Sequence, residues 1–335
     1  MKSGITLTHL ADSVRPQDDL YRHVNGTWLA DAVIPDDRAI DGAFHKLRDL
    51  SEVNIRDIIE AAAAAQAPAG SDQRKIGDLY RSFMDEAAIE ALGWEPIQAE
   101  LAMVNEVVDL ASFARVLGAL EHLGVGGLIG MWVTADYGDP TTAIAYLYQD
   151  GLGLPDESYY REDQYAELRE KYVAHIARSL EMIGYADTAA AAERIMAFET
   201  ALASKHIDNV RRRDAVANYN KHTWAEFRTL LEGFDVNTWR DAAQMPASAF
   251  ETLVVREMDF FQGLTGVLQS ADVQTLRDWL TWNIVKDASA YLSSAFVDAS
   301  FDFYGRELTG QPQIRDRWKR GVGLVESLLG EAAGK

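Results

Sequence analysis

Cysteine is absent from all 335 residues, which excludes disulfides, a thiolate nucleophile and any thiolate-ligated metal within the chain. Proline is scarce, at eight residues, so predicted helices meet few breakers. No window approaches the ~20 consecutive apolar residues of a membrane helix. Met1–Val14, MKSGITLTHLADSV, has no continuous apolar h-region, so no signal peptide is expected and the chain is read as cytoplasmic or exported without a leader. Positive charge is also short: 32 Lys and Arg stand against 52 Asp and Glu, a net charge of −20. Such a surface repels phosphate backbones and anionic headgroups, so neither nucleic acid nor membrane is an expected partner.

Catalytic constellations are missing as well. A zinc-peptidase helix needs two histidines one turn apart, with a glutamate beside them to activate metal-bound water. The seven histidines are His9, His23, His45, His122, His175, His206 and His222, and no pair has that spacing. Each reads as a satisfied or exposed side chain. There is no G-x-S-x-G elbow, no Walker loop and no G-x-G-x-x-G after a strand. Gly124-Val125-Gly126-Gly127 suggests a phosphate loop, but no lysine follows it, and a flexible turn is the plainer reading. Asp18-Asp19, Asp36-Asp37 and Glu162-Asp163 suit helix N-caps or solvated turns. Arg211-Arg212-Arg213, the one basic run, either holds an anionic terminus or pairs with acids.

Helical periodicity is what the sequence has in quantity. Ile76, Leu79, Tyr80, Phe83 and Ala87 follow the i, i+3, i+4, i+7 spacing, with Gly93 placed to end the helix. Leu168, Tyr172, Ile176, Leu180 and Ile183 form a second stripe that stops at Gly184. Further helices are predicted over about Thr188–His206, Val273–Phe296 and Gln313–Ala333. Leu128–Thr134 and Ala143–Tyr148 are rich in aromatic and β-branched residues and flank Tyr137-Gly138-Asp139-Pro140, so a β-hairpin is predicted near 128–148. The predicted fold class is mainly α with one small β element. No internal repeat and no strong domain boundary is visible.

Segments met in order along the chain carry a family resemblance. Arg15–Leu29, RPQDDLYRHVNGTWL, resembles the D-D-F-Y-x-Y-x-N-G-x-W stretch that opens neprilysin-type zinc metallopeptidases, and Ile34-Pro35 follows at the family's spacing. Gly151–Tyr160, GLGLPDESYY, is similar to the family's G-L-G-L-P-x-x-x-Y-Y and is the most specific match. Arg317–Val322 and Leu329–Lys335 resemble R-W-K-x-C-V and L-G-E-A-x-G-K. The similarity covers essentially the whole chain and favours the cysteine-free bacterial branch. The animal ectoenzymes carry disulfide-forming cysteines where this chain has Phe83 and Gly321.

The resemblance implies a two-lobed, mostly helical peptidase in which a multi-helix cap lobe encloses the chamber of a zinc lobe. The family's zinc ligands (from H-E-x-x-H and E-x-x-x-D) and its N-A-Y motif lie C-terminal to the G-K matched by Gly334-Lys335. No catalytic residue and no metal ligand is therefore expected within this chain, which should be inactive alone. Zinc would belong to the complete enzyme, and the partners would be its C-terminal catalytic half and peptide substrates. Residues 1–50 are expected to pack along the catalytic cleft and 51–335 to form the helical cap. Deprived of that partner, the cap is expected to expose apolar surface.

Within the family, an R-x-G-x-F-D-x-x-R pattern after I-P helps hold the substrate's C-terminal side. Phe44 and Arg48 match its phenylalanine and second arginine, while Ile40 and His45 stand where it has the first arginine and the aspartate. Arg38, two residues before Ile40, is the candidate substitute. The other reading of Arg48 is a surface ion pair with Asp49 or Glu52. A reading from a different class is a standalone helical scaffold or interaction protein derived from this lobe.

Overall fold

The structure, a computed structural model, describes residues 6–334. The chain forms two compact units, one of Met1–Met84 with Thr309–Lys335 and one of Asp85–Leu308. The first unit extends to Met84 because a helix from the far end of the chain returns to complete it.

In that first unit Asp19 starts the helix Leu20–Asp31, its carboxylate accepting the Arg22 backbone N–H at 2.9 Å. The helices Ala43–Ala64 and Asp72–Met84 follow, and Arg317–Ala333 packs against both. Ile59, Ala62, Ile76, Tyr80, Val322 and Val325 form the buried centre. Close helix approach explains Gly77, where a Cβ would stand 2.7 Å from the Ala62 carbonyl oxygen. It also explains Gly321, where a Cβ would meet Tyr80 Cε2 at 2.8 Å and Phe83 Cδ1 at 3.1 Å.

Positions 83 and 321 therefore face each other, glycine making room for the phenyl ring. The double variant Phe83→Cys, Gly321→Cys is expected to crosslink on oxidation, because removing the ring frees the space a disulfide needs. A mobility shift on a non-reducing gel and a gain of about 2 kcal/mol would register it. Failure to crosslink would show that the two Cβ vectors diverge.

The second unit holds the sheet. Strands β1 (Ile129–Asp136), β2 (Asp139–Gln149), β3 (Asn220–Thr223) and β4 (Thr252–Val255) lie in the order β1-β2-β4-β3. The predicted hairpin is β1–β2, antiparallel, with Trp132 opposite Tyr146. Alternation along β2 sorts its two faces. Ala145 and Leu147 enter the main core, whereas Ile144 and Tyr146 join Val254, Trp132 and Tyr219 in a smaller cluster. Asp136, at the hairpin end, accepts Lys221 Nζ at 2.6 Å and the Tyr219 hydroxyl at 2.5 Å, and so ties the hairpin to β3. Those two bonds, the lysine's first, hold its carboxyl down at about 2. The remaining helices surround a core centred on the fully buried Trp239, Trp279, Trp282, Tyr172 and Phe113.

Several predicted helices are shorter than their apolar patterns suggested. The stripe from Ile76 to Gly93 breaks at Asp85, whose carboxylate accepts the Ala88 N–H at 3.1 Å and opens a new helix, Glu86–Leu92. The helix predicted from Gln313 begins at Arg317, and that predicted to His206 ends at Ala203. The helix predicted through Phe296 ends at Ala288. A separate helix, Ser294–Ser300, then passes into a wide π-type turn over Phe301–Glu307. No helix among the described residues is long and apolar enough to cross a membrane.

Candidate functional site

The pattern's candidate residues are split between the loop from Asp31 to Ala43, which carries Arg38, and the start of the Ala43–Ala64 helix, which carries Phe44 and Arg48. The loop is pinned within the first unit by the segment preceding the Arg317–Ala333 helix, as the Gln313 N–H donates to the Asp36 carbonyl at 3.0 Å and Gln311 Nε2 to the Asp37 carbonyl at 3.0 Å. Lys319 Nζ reaches Asp37 Oδ2 at 2.5 Å. That bond, opposed by burial and aided by Arg38, lowers the Asp37 carboxyl below its ordinary value.

The three sequence-selected residues have different surroundings. Arg38 is nearly enclosed: Nη2 donates to Asp49 Oδ2 at 2.8 Å, while Nε and Nη1 lie 3.3 and 3.4 Å from Asp37 and Asp41. The Asp49 bond, against the cost of burial, raises its proton affinity further. Arg48 is half exposed, and its Nε stands 3.9 Å from Glu52. Glu52 has a closer partner in Arg315, at 2.5 Å. Phe44, at the start of the Ala43–Ala64 helix, is 86% exposed. The sequence reading took Asp37 for a cap or turn residue and did not single out Asp41 or Lys319. Lys319 was nonetheless visible within Arg317-Trp318-Lys319, whose arginine donates to the Phe83 carbonyl and whose tryptophan sits under Arg56.

The other candidate groups are already occupied. Burial pushes His175 and His206 down to about 4, so both rings are neutral. His175 stacks on Phe303, and His206 Nε2 lies 3.1 Å from the Asp150 carbonyl oxygen, to which it donates. Among the described residues no three His, Asp or Glu side chains converge to hold a metal ion. The residues present therefore do not fit a zinc site, and no zinc chemistry is assigned to them. The Gly124–Gly127 loop is occupied by acidic side chains rather than left open for phosphate. Asp287 Oδ2 accepts the Gly126 N–H at 2.6 Å, and Glu121 lies so close that a Cβ on Gly127 would strike its Oε1. Arg211 pairs with Asp259 at 2.8 Å, and Arg212 Nε lies 3.6 Å from buried Glu257.

The GLGLPDESYY segment surrounds a buried acid. Tyr160 Oη accepts the backbone N–H groups of Gly153 and Leu154 at 3.1 and 3.0 Å, and donates to Glu199 Oε2 at 2.6 Å. Tyr172 donates to the same oxygen at 3.0 Å and accepts Trp282 Nε1 at 3.0 Å. Gly153 has to be glycine, since a Cβ would lie 1.7 Å from Tyr172 Oη. This arrangement is structural and presents no nucleophile.

The chain is thus a mainly helical protein of two compact units, one of them holding a four-stranded sheet. Residues 16–335 match the N-terminal domain of Peptidase family M13, and the chain belongs to that family. It is 26% identical over 344 residues to endothelin-converting enzyme 1 of Cavia porcellus, an alignment covering 98% of this chain and 45% of that protein. A zinc metalloprotease of Mycobacterium tuberculosis, solved with an inhibitor, superposes with a TM-score of 0.93 at 45% identity, covering 99% of this chain and 51% of that one. PepO from Lactobacillus rhamnosis shares the fold, with a TM-score of 0.79 at 20% identity over 96% of this chain and 51% of that one. The chain thus spans about half the length of the relatives it matches.

Proposed function

We propose that this chain is the N-terminal, substrate-enclosing portion of a zinc metalloendopeptidase that hydrolyses peptides, and that it is inactive alone. One observation carries the reading: nearly all of this chain aligns with only half of proteins named as converting enzymes and metalloproteases. A C-terminal half would supply the zinc ligands and the general base. In support, most large exposed apolar side chains lie between Leu7 and Ile58, including Phe44, Leu47 and Leu50. Apolar surface of that kind is what a partner lobe removes from water.

Phe44 and Arg48 are proposed to meet the C-terminal side of the substrate. Arg48 would exchange its loose 3.9 Å contact with Glu52 for two parallel N–H bonds to a carboxylate. Arg38 is the least available of the three, since it would have to leave the acids that hold it.

The purified chain should show no zinc-dependent cleavage of a fluorogenic peptide. Adding the half encoded after Lys335 should restore cleavage and raise the melting temperature of this chain by mass action. In the assembled enzyme, Phe44→Ala and Arg48→Ala should each raise KM about tenfold for substrates ending in a free carboxylate, a loss of ~1.4 kcal/mol. Cleavage by this chain alone would overturn the proposal. A reading frame that stops at Lys335 would do so too, and would favour the scaffold reading.

A further inference from the structure

The unit Asp85–Leu308 contains a cleft that the peptidase reading does not use. It encloses about 780 Å³, within the range of small-ligand sites. The Gln98–Val104 helix, the turn at Ile183–Asp187 and the first half of the Val273–Ala288 helix contribute its lining.

Its charges are arranged unevenly. Asp278 is fully buried and organises one wall, with Oδ1 accepting the Tyr185 hydroxyl at 2.6 Å and Gln274 Nε2 at 2.7 Å. Its Oδ2 accepts Arg194 Nε at 2.6 Å, which fixes that guanidinium and offsets its charge. Arg277, also lining the cleft, is fixed without being neutralised. Its Nε and Nη2 donate to the carbonyl oxygens of Val107 and Asn105 at 2.8 and 3.2 Å, and it has no carboxylate partner among the described residues. Two carbonyl bonds leave Arg277 with N–H groups to spare, since a guanidinium carries five.

A free anion lines the same cleft. Asp187 precedes the Thr188–Ala203 helix, yet its carboxylate makes no capping bond and pairs with no cation. One immobilised positive group and one unpaired negative group thus border a single cavity. Gln98, with an amide able to donate and accept, and the apolar face of Trp94 complete the chemistry.

We propose that this cleft binds a short peptide with both termini free. Arg277 takes the carboxylate, Asp187 the ammonium, Gln98 a backbone amide, and Trp94 packs against an apolar side chain. Arg277 is held in place before binding, so little side-chain entropy is lost on contact. The site is independent of the peptidase proposal, because it needs no residue outside this unit and no metal.

Calorimetric titration of this chain with the tripeptide Ala-Leu-Ala, its N-acetyl form and its C-terminal amide tests the assignment. The free tripeptide should bind at about millimolar concentration or tighter, and each blocked form about tenfold more weakly. Arg277→Gln should erase the difference between free and amidated peptide, and Asp187→Asn that between free and acetylated peptide. Asparagine tolerates the left-handed backbone at position 187, where φ is 49°. Arg277→Lys, which keeps the charge, should retain part of the carboxylate preference and guards against a folding artefact at that position. Two results would overturn the proposal: no binding of the free tripeptide at about 10 mM, or blocked-peptide preferences that both variants leave unchanged. Acetylated peptide binding as tightly as free peptide would also overturn it, reducing the cleft to a plain anion site.

Discussion

Glu199→Ala is expected to destabilise the Asp85–Leu308 unit by about 3–5 kcal/mol, whereas Glu199→Gln should cost about 1 kcal/mol. Glu199 is inaccessible to solvent, and its two oxygens accept both the Tyr160 and the Tyr172 hydroxyls. Burial raises its proton affinity, while the Tyr160 and Tyr172 bonds pull the other way. Alanine would leave two buried hydroxyls without an acceptor and open a cavity beneath Gly153. Each unsatisfied group costs about 1–3 kcal/mol, and the void adds to that. Glutamine keeps the volume and one acceptor oxygen, so it should retain most of the stability. Tyr160→Phe should fall between them, because the N–H groups of Gly153 and Leu154 would lose their shared acceptor. Urea unfolding followed by tryptophan fluorescence reads the effect, since Trp282 donates to Tyr172 within this network. Equal losses for the alanine and glutamine variants would show that bulk, rather than hydrogen bonding, holds the segment.

That network also shows what was legible in the sequence. The GLGLPDESYY segment could be recognised as the most specific match. Its partner Glu199, 39 residues beyond Tyr160, carried no local signal. The helices were readable because apolar stripes at i, i+3 and i+4 record burial directly. Their ends were less so: Asp85 stops a stripe that continues past it, because a carboxylate capping the Ala88 N–H outweighs the apolar periodicity. Strands β3 and β4, four residues each, are too short to display alternation. The surroundings of Arg38 were hidden for a different reason. Asp37 and Asp41 are sequence neighbours, but Lys319, which competes for Asp37, comes from the other end of the chain. A pattern match placed Arg38 as a candidate anion holder, whereas its own neighbours Asp37, Asp41 and Asp49 already enclose it with acids.

Glu121 gives the second large effect, one that depends on pH. Its Oε1 is shut off from solvent and has no hydrogen-bond partner, while Trp239 Nε1 donates to Oε2 at 2.6 Å. Burial pushes this carboxyl up to about 8, with the Trp239 bond opposing and the nearby Asp150 adding to the rise. In the unfolded chain the same group would titrate near 4.5. The folded state therefore holds a proton that the unfolded state has released, and stability falls as pH rises from about 4.5 to about 8 and levels off above that. Glu121→Gln removes the titration while keeping the shape of the protonated acid against Gly127. The variant should match the parent near pH 4.5 and exceed it by about 3 kcal/mol at pH 8, below the full linkage because the ionised acid can draw in water. Urea midpoints measured at several pH values decide it, and the difference between the two proteins is the informative quantity because other carboxylates titrate in both. Parallel pH profiles would mean that the Glu121 carboxylate is ionised in the folded protein, with water reaching Oε1. A widening gap above pH 5 would show that the Gly124–Gly127 loop encloses a protonated acid, leaving it no room to hold phosphate.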